Sequence, residues 1–129
     1  MKQAIAQVTL VVQNYDKAIE FYTKKLGFNL VDDIALEGGK RWVTVSPPSL
    51  SGLSLLLAEA TNEEQRKAVG NQSGGRVFLF LHTDNFWRDY KRMKEQGVTF
   101  NEDPREEPYG TVVVFKDLYG NLWDLIERK

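Results

Sequence analysis

The chain has 129 residues, the length of one ordinary domain; 42% are hydrophobic and 27% charged, which describes a globular protein and not a disordered one. Lys plus Arg total 17 and Asp plus Glu 18, so a broad nucleic-acid footprint, which needs excess basic charge, is excluded. There is no cysteine, which excludes disulfides, thiolate metal sites and cysteine nucleophiles, and no apolar run approaches the roughly 20 residues that span a bilayer. The opening stretch MKQAIAQVTLVV lacks a signal-peptide cleavage pattern, so a cytoplasmic location is expected.

Along the chain, Val8–Val12 is an apolar, β-branched run ending at Asn14-Tyr15-Asp16, the pattern of a strand followed by a helix start. Ile19, Tyr22 and Leu26 then recur at helical spacing, with Asn14 or Asp16 as the cap and Gly27 as the left-handed stop. A weak strand near Phe28–Asp32 precedes stronger ones at Arg41–Val45 and Leu53–Leu57. Thr61-Asn62-Glu63-Glu64 is a capping-box pattern opening a short helix to Val69, and Gly70–Gly75 reads as a flexible linker.

The pattern then repeats at an offset near 70. Val77–Leu81 is a strand; Phe86, Tyr90 and Met93 mark a helix capped by Asp84 and stopped by Gly97; Thr99–Phe100 is a weak strand. Thr111–Phe115 matches Arg41–Val45, and Leu122–Ile126 answers Leu53–Leu57. The predicted fold class is α+β: two βαβββ modules, at 4–60 and 76–129 with a linker at 61–75, forming one domain whose curved mixed sheet surrounds a cavity with helices outside.

Strand alternation sorts the side chains. With Val8, Leu10 and Val12 under a helix, Gln7, Thr9 and Val11 face the cavity; with Val77, Leu79 and Leu81 under a helix, Phe78, Phe80 and His82 face it. A mostly apolar, aromatic surface with a few polar groups is what a small-molecule site requires.

Two stretches carry a family resemblance: Tyr15-Asp16-Lys17-Ala18-Ile19-Glu20-Phe21-Tyr22 leading to Leu26-Gly27-Phe28, and Asp117-Leu118-Tyr119-Gly120-Asn121 leading to Leu122-Trp123-Asp124-Leu125. The chain resembles the vicinal oxygen chelate superfamily of glyoxalases, bleomycin-resistance proteins and extradiol dioxygenases. Leu118 stands where that family usually has proline. The resemblance implies a homodimer and, in the enzymes, a divalent metal held by four inward His, Gln or Glu side chains from four strands. Gln7 takes the first place and Asp124 the last, but the others fall on Phe78, or Val77 if the register slips by one, and in a strand whose one polar residue is Ser54. The expectation is therefore no metal or other cofactor; if a divalent metal is held, its ligands are Gln7 and Asp124.

Asp124 is the foremost candidate for acid–base chemistry, because a carboxylate among apolar neighbours has a raised pKa. His82 is a second, as the sole histidine. Gln7, Thr9, Trp42, Thr44, Ser54, Phe78, Phe80, Tyr109 and Trp123 are the candidate ligand contacts, Trp42 and Trp123 through their rigid indole faces and Tyr109 from a loop that in the family often lids the pocket. The expected function is binding of an aromatic or amphipathic small molecule, with no nucleic-acid or membrane partner. The alternative is a metal-dependent lyase, isomerase or dioxygenase.

Overall fold

The computed structural model describes residues 1–49 and 52–129. The chain separates into two compact units, Met1–Val69 and Gly70–Lys129. Both are α+β, each built on one mixed sheet.

The first unit contains β1 (Gln7–Val12), α1 (Tyr15–Glu20, running on into a π-helical turn at Phe21–Lys25), β2 (Asn29–Ala35), β3 (Arg41–Ser46), β4 (Ser54–Glu59) and α2 (Glu63–Ala68). Sheet order is β1-β4-β3-β2, with β1 and β4 parallel and the other pairs antiparallel. Asn14 begins α1: its extended backbone aims Oδ1 at the Lys17 N–H, 2.9 Å away. Gly27, at φ 79°, ends it. Leu10, Val12, Val43, Val45, Leu55 and Leu57 form the buried face against Tyr15, Ala18, Phe21 and Tyr22. The capping signal of α2 is shifted by one residue from its expected place. Asn62 Oδ1 accepts the Gln65 N–H, and Gln65 Oε1 accepts the Thr61 N–H and hydroxyl.

The second unit contains β5 (Val77–His82), α3 (Phe86–Glu95), β6 (Thr99–Phe100), β7 (Arg105–Glu107), β8 (Gly110–Lys116) and β9 (Leu122–Arg128). Order is β5-β9-β8-β6, with β7 also paired to β8. The cap of α3 is Asn85, which accepts the Arg88 N–H, and not Asp84, which instead pairs with the Arg88 guanidinium at 2.9 Å. β7 lies just before the loop that carries Tyr109, and it forms because Arg105 and Glu107 find Val112 and Gly110 as strand partners.

The repeat is visible as one recurring tie. In the first unit Glu59 Oε2 accepts the N–H of Tyr15, the first residue of α1, at 3.1 Å; in the second, Glu127 Oε1 accepts the N–H of Phe86, the first residue of α3, at 2.6 Å. A carboxylate there satisfies a free amide and the positive end of the helix. These glutamates are 68 residues apart, whereas the caps Asn14 and Asn85 are 71 apart. The match of Leu53 with Leu122 is therefore one residue out of register. Leu56, not Leu55, stands in the first unit where Asp124 stands in the second.

Gly70–Gly75, expected as a flexible linker, is a set of turns tied to the second unit. The Gln72 N–H donates to Asn121 Oδ1 at 3.1 Å, and a Cβ on Gly70 would lie 2.1 Å from the Tyr119 carbonyl oxygen. The turn it meets is organised by buried Asp117. Its Oδ1 accepts the N–H groups of Tyr119, Gly120 and Asn121, and its Oδ2 accepts Asn121 Nδ2 and Trp123 Nε1. The side chain of Leu118 is exposed, so this carboxylate shapes the turn without a proline. Asp117→Ala would strand buried donors on Asn121 and Trp123, and should cost about 3 kcal/mol in urea unfolding; a loss below about 1 kcal/mol would show that the turn forms without it.

Candidate functional site

On β9 the side chains alternate. Trp123, Leu125 and Glu127 lie on the α3 side, in register with Phe115, Val113 and Thr111 of β8; Leu122, Asp124 and Ile126 lie on the other, with Lys116, Val114 and Val112. An aromatic chain fills the α3 side: Phe86 stacks on Tyr90, Tyr90 meets Phe100 at 4.7 Å, and Phe115 stacks on Trp123 at 5.7 Å. Trp123 is thus a core residue, 3% exposed, with its indole N–H given to Asp117. That corrects its expected place as a ligand contact: its parity is opposite to that of Asp124.

The face away from α3 carries the candidate site. Asp124 is in register with Phe80 of parallel β5 and with Val114 of β8. It is 9% exposed, and its Oδ1 is buried with no hydrogen-bond partner, the one such side-chain atom found among the described residues. Burial pushes its pKa up, the positive charge of Arg105 pulls it partly back, and Glu102 raises it further. Phe80 beside it is 58% exposed, an unusual state for a phenyl ring on a strand and the apolar counterpart of the buried acid.

Arg105, Glu102 and Glu107 were not anticipated from the sequence. Arg105 Nε donates to Glu102 Oε2 and its NH1 to Glu107 Oε1, both at 2.8 Å. Glu102, first among these, raises the guanidinium pKa, so Arg105 is a fixed cation. Glu102 Oε2 also accepts the Val114 N–H, which anchors the cluster to the sheet beside Asp124. The available signal was the spacing of Arg105 and Glu107, which strand alternation puts on one face.

The remaining candidates separate by unit. In β5 a bulge between Val77 and Leu79 interrupts the alternation. Val77 pairs with Leu122 on the Asp124 side and Leu79 with Trp123 on the α3 side, leaving Phe78 unmatched in the register. His82, exposed at the end of β5, pairs with Ile126, one step beyond the Phe80–Asp124 pair on the same face. In the first unit Gln7, Thr9, Ser54 and Leu56 share the face away from the buried aliphatic core, Gln7 beside Ser54 and Thr9 beside Leu56. Trp42 and Thr44 join them through β3. Thr44, 1% exposed, donates its hydroxyl to Asp32 Oδ2 at 2.8 Å, so the structure gives it a structural bond in place of the ligand contact expected.

The strand neighbours of Asp124 are a phenyl ring and a valine, the charges that act on it are those of Arg105 and Glu102, and the position in the first unit that corresponds to it is Leu56. Among the described residues no group of three or more His, Cys, Asp or Glu is placed to hold a metal ion.

The raised pKa of Asp124 gives the site a measurable signature. In the window between the ordinary carboxylate value, about 4, and the higher folded value, the folded protein binds the proton more tightly than the unfolded chain. The stabilisation from the neutral acid is complete below that window and is lost as pH rises through the folded pKa. Asp124→Asn should therefore raise the urea midpoint above wild type at pH 7–8, with the gap closing as pH falls towards 4. A destabilised variant at pH 7 would mean that the charged carboxylate has a favourable partner.

Against known proteins, residues 4–125 match the family model of the Glyoxalase/Bleomycin resistance protein/Dioxygenase superfamily. An uncharacterized protein of Shewanella frigidimarina (strain NCIMB 400) is 59% identical, with 98% of this chain and 95% of that protein covered. Among solved structures, UcmS2 is similar at 32% identity and a TM-score of 0.84, covering 98% of each chain. TnmS3, an antibiotic binding protein from Streptomyces sp. CB03234, is similar at 27% identity and a TM-score of 0.79, covering 99% of this chain and 98% of its own. With the family model spanning nearly the whole sequence and the fold matched along its length, the chain belongs to the glyoxalase/bleomycin resistance protein/dioxygenase superfamily.

Proposed function

We propose that the protein binds an aromatic or amphipathic small molecule without a metal, on the face of the second unit that carries Asp124 and Phe80. The observation that carries this reading is the unpaired, buried Oδ1 of Asp124 beside an exposed ring. A buried oxygen without a partner is costly, and a ligand O–H or N–H supplies the missing bond. The phenyl ring of Phe80 supplies the flat apolar contact, and Arg105, already held by two carboxylates, supplies a fixed positive field. The ligand class is therefore a planar compound with a hydroxyl or amine donor. The likeness to an antibiotic binding protein supports binding over turnover. In this reading the protein sequesters or carries its ligand, and it works as a homodimer, as the family resemblance implies.

Titration calorimetry against planar phenols and polycyclic aromatic antibiotics tests the proposal. Saturable binding is expected to survive exhaustive dialysis against EDTA and to weaken about tenfold in Asp124→Ala, in Phe80→Ala and for the ligand methylated on its donor, a change of about 1.4 kcal/mol each. Binding or turnover that appears only with added Mn, Fe, Ni or Zn would replace this reading with metal-dependent catalysis. Equal affinity of the donor-blocked ligand would remove Asp124 from the site.

A further inference from the structure

A buried carboxylate with an unpartnered oxygen lies within electrostatic reach of an arginine, yet the two do not pair. Granted the ligand-binding role proposed for Asp124, on which it rests, we infer that Glu102 and Glu107 are positioning residues. They clamp Arg105 over its own loop, keep it from closing on Asp124, and so leave that carboxylate open to a ligand.

The sheet register puts Arg105 on the face of Asp124. Arg105 is opposite Val112, and Val112 is opposite Ile126, two residues after Asp124. Cross-strand partners share a face, as do residues two apart on one strand. Arg105 thus lies about 10 Å across the sheet from β9 and about 7 Å along it from the level of Asp124. That span is within the combined reach of an extended guanidinium side chain and a carboxylate. Lys116 and His82 share the face but are exposed, and the charges that act on Asp124 are those of Arg105 and Glu102.

One cation therefore has three carboxylates on its side of the sheet, and the two near it in sequence hold it. Arg105 Nε meets Glu102 and its NH1 meets Glu107, both at 2.8 Å. Glu102 is fixed in turn, because the same Oε2 accepts the Val114 N–H at 3.2 Å, while the neighbouring Asn101 N–H donates to the Val114 carbonyl at 3.0 Å. The clamp carboxylates are about a third exposed, at 30% and 31%, against 9% for Asp124. A guanidinium held by them keeps hydration that it would lose beside Asp124, so two charge-assisted bonds at the edge outweigh one in the interior. With either glutamate made neutral, the balance moves towards Asp124.

A cycle of variants in the full chain, unfolded in urea at pH 7–8, tests the clamp without any ligand. Asp124→Asn raises the midpoint in the wild-type background, where it removes an unpaired buried charge. In the Glu102→Gln, Glu107→Gln background it is expected to lower the midpoint, because it now breaks an ion pair with Arg105. Adding Arg105→Met to that background should restore the rise, an outcome that a general loosening of the loop would not give. Glu107→Gln alone leaves the Val114 anchor in place and should shift the effect of Asp124→Asn in the same direction, by less. By calorimetry, 2-naphthol, a planar phenol, should bind the double glutamine variant about tenfold more weakly than wild type. A rise of equal size in every background would overturn the clamp, as would an unaltered naphthol affinity in the double variant. The reversal in urea supports the clamp even where wild type fails to bind naphthol, a failure that would count against the ligand reading of Asp124 alone.

Discussion

The glutamate tie between the last strand of each unit and the start of its helix is the constraint on which the site depends. Glu59 and Glu127 each satisfy the first amide of a helix, which forces them to the helix-bearing face of the sheet. Side chains on a strand alternate, so a residue three places earlier must take the opposite face. Asp124 is three residues before Glu127 and Leu56 three before Glu59. The same device thus sets an acid on the uncovered face of one unit and a leucine on that of the other. The repeat is structural, and the chemistry is not repeated.

That placement has an energetic consequence. Asp117 and Asp124 are both buried carboxylates seven residues apart, yet they are opposites. Asp117 accepts five hydrogen bonds from its own turn and from Trp123. Asp124 has an oxygen with none. A fully bonded carboxylate organises its surroundings, whereas an unbonded one raises the free energy of the folded state. Such a residue does not serve the fold, and in the proposed function a ligand supplies the bond that the fold withholds. The Arg105 cluster moderates the cost by placing a cation near it, and the two glutamates that flank the arginine keep that cation in position.

The two units distribute polar groups differently around their open faces. In the second, charge is balanced internally: Arg105 faces two carboxylates, and the unsatisfied group is an acceptor. In the first, Arg41 is likewise balanced by two aspartates, and Glu59 gives one carboxylate oxygen to the start of α1. An unsatisfied acceptor seeks a ligand hydroxyl or amine. The difference arises from a single position, Asp124 against Leu56, within similar frameworks.

Much of this was legible in the amino-acid order. The repeat, the strands at Arg41–Val45 and Thr111–Phe115 and the helix stops at Gly27 and Gly97 all follow from local patterns: alternation, helical spacing, capping side chains and the left-handed conformation that glycine tolerates. What the sequence did not contain was register. The bulge in β5 moves Val77 away from its expected face, the one-residue shift in the last strand changes which residue corresponds to Asp124, and Trp123 is turned into the core by its even spacing, four residues, from the helix tie at Glu127. Arg105 became a site residue once β7 found its partner in β8. Local preference is a property of a few neighbouring residues, so the sequence by itself determined the elements. Which side chain remains unpaired depends on partners tens of residues away, and that was decided by the tertiary structure.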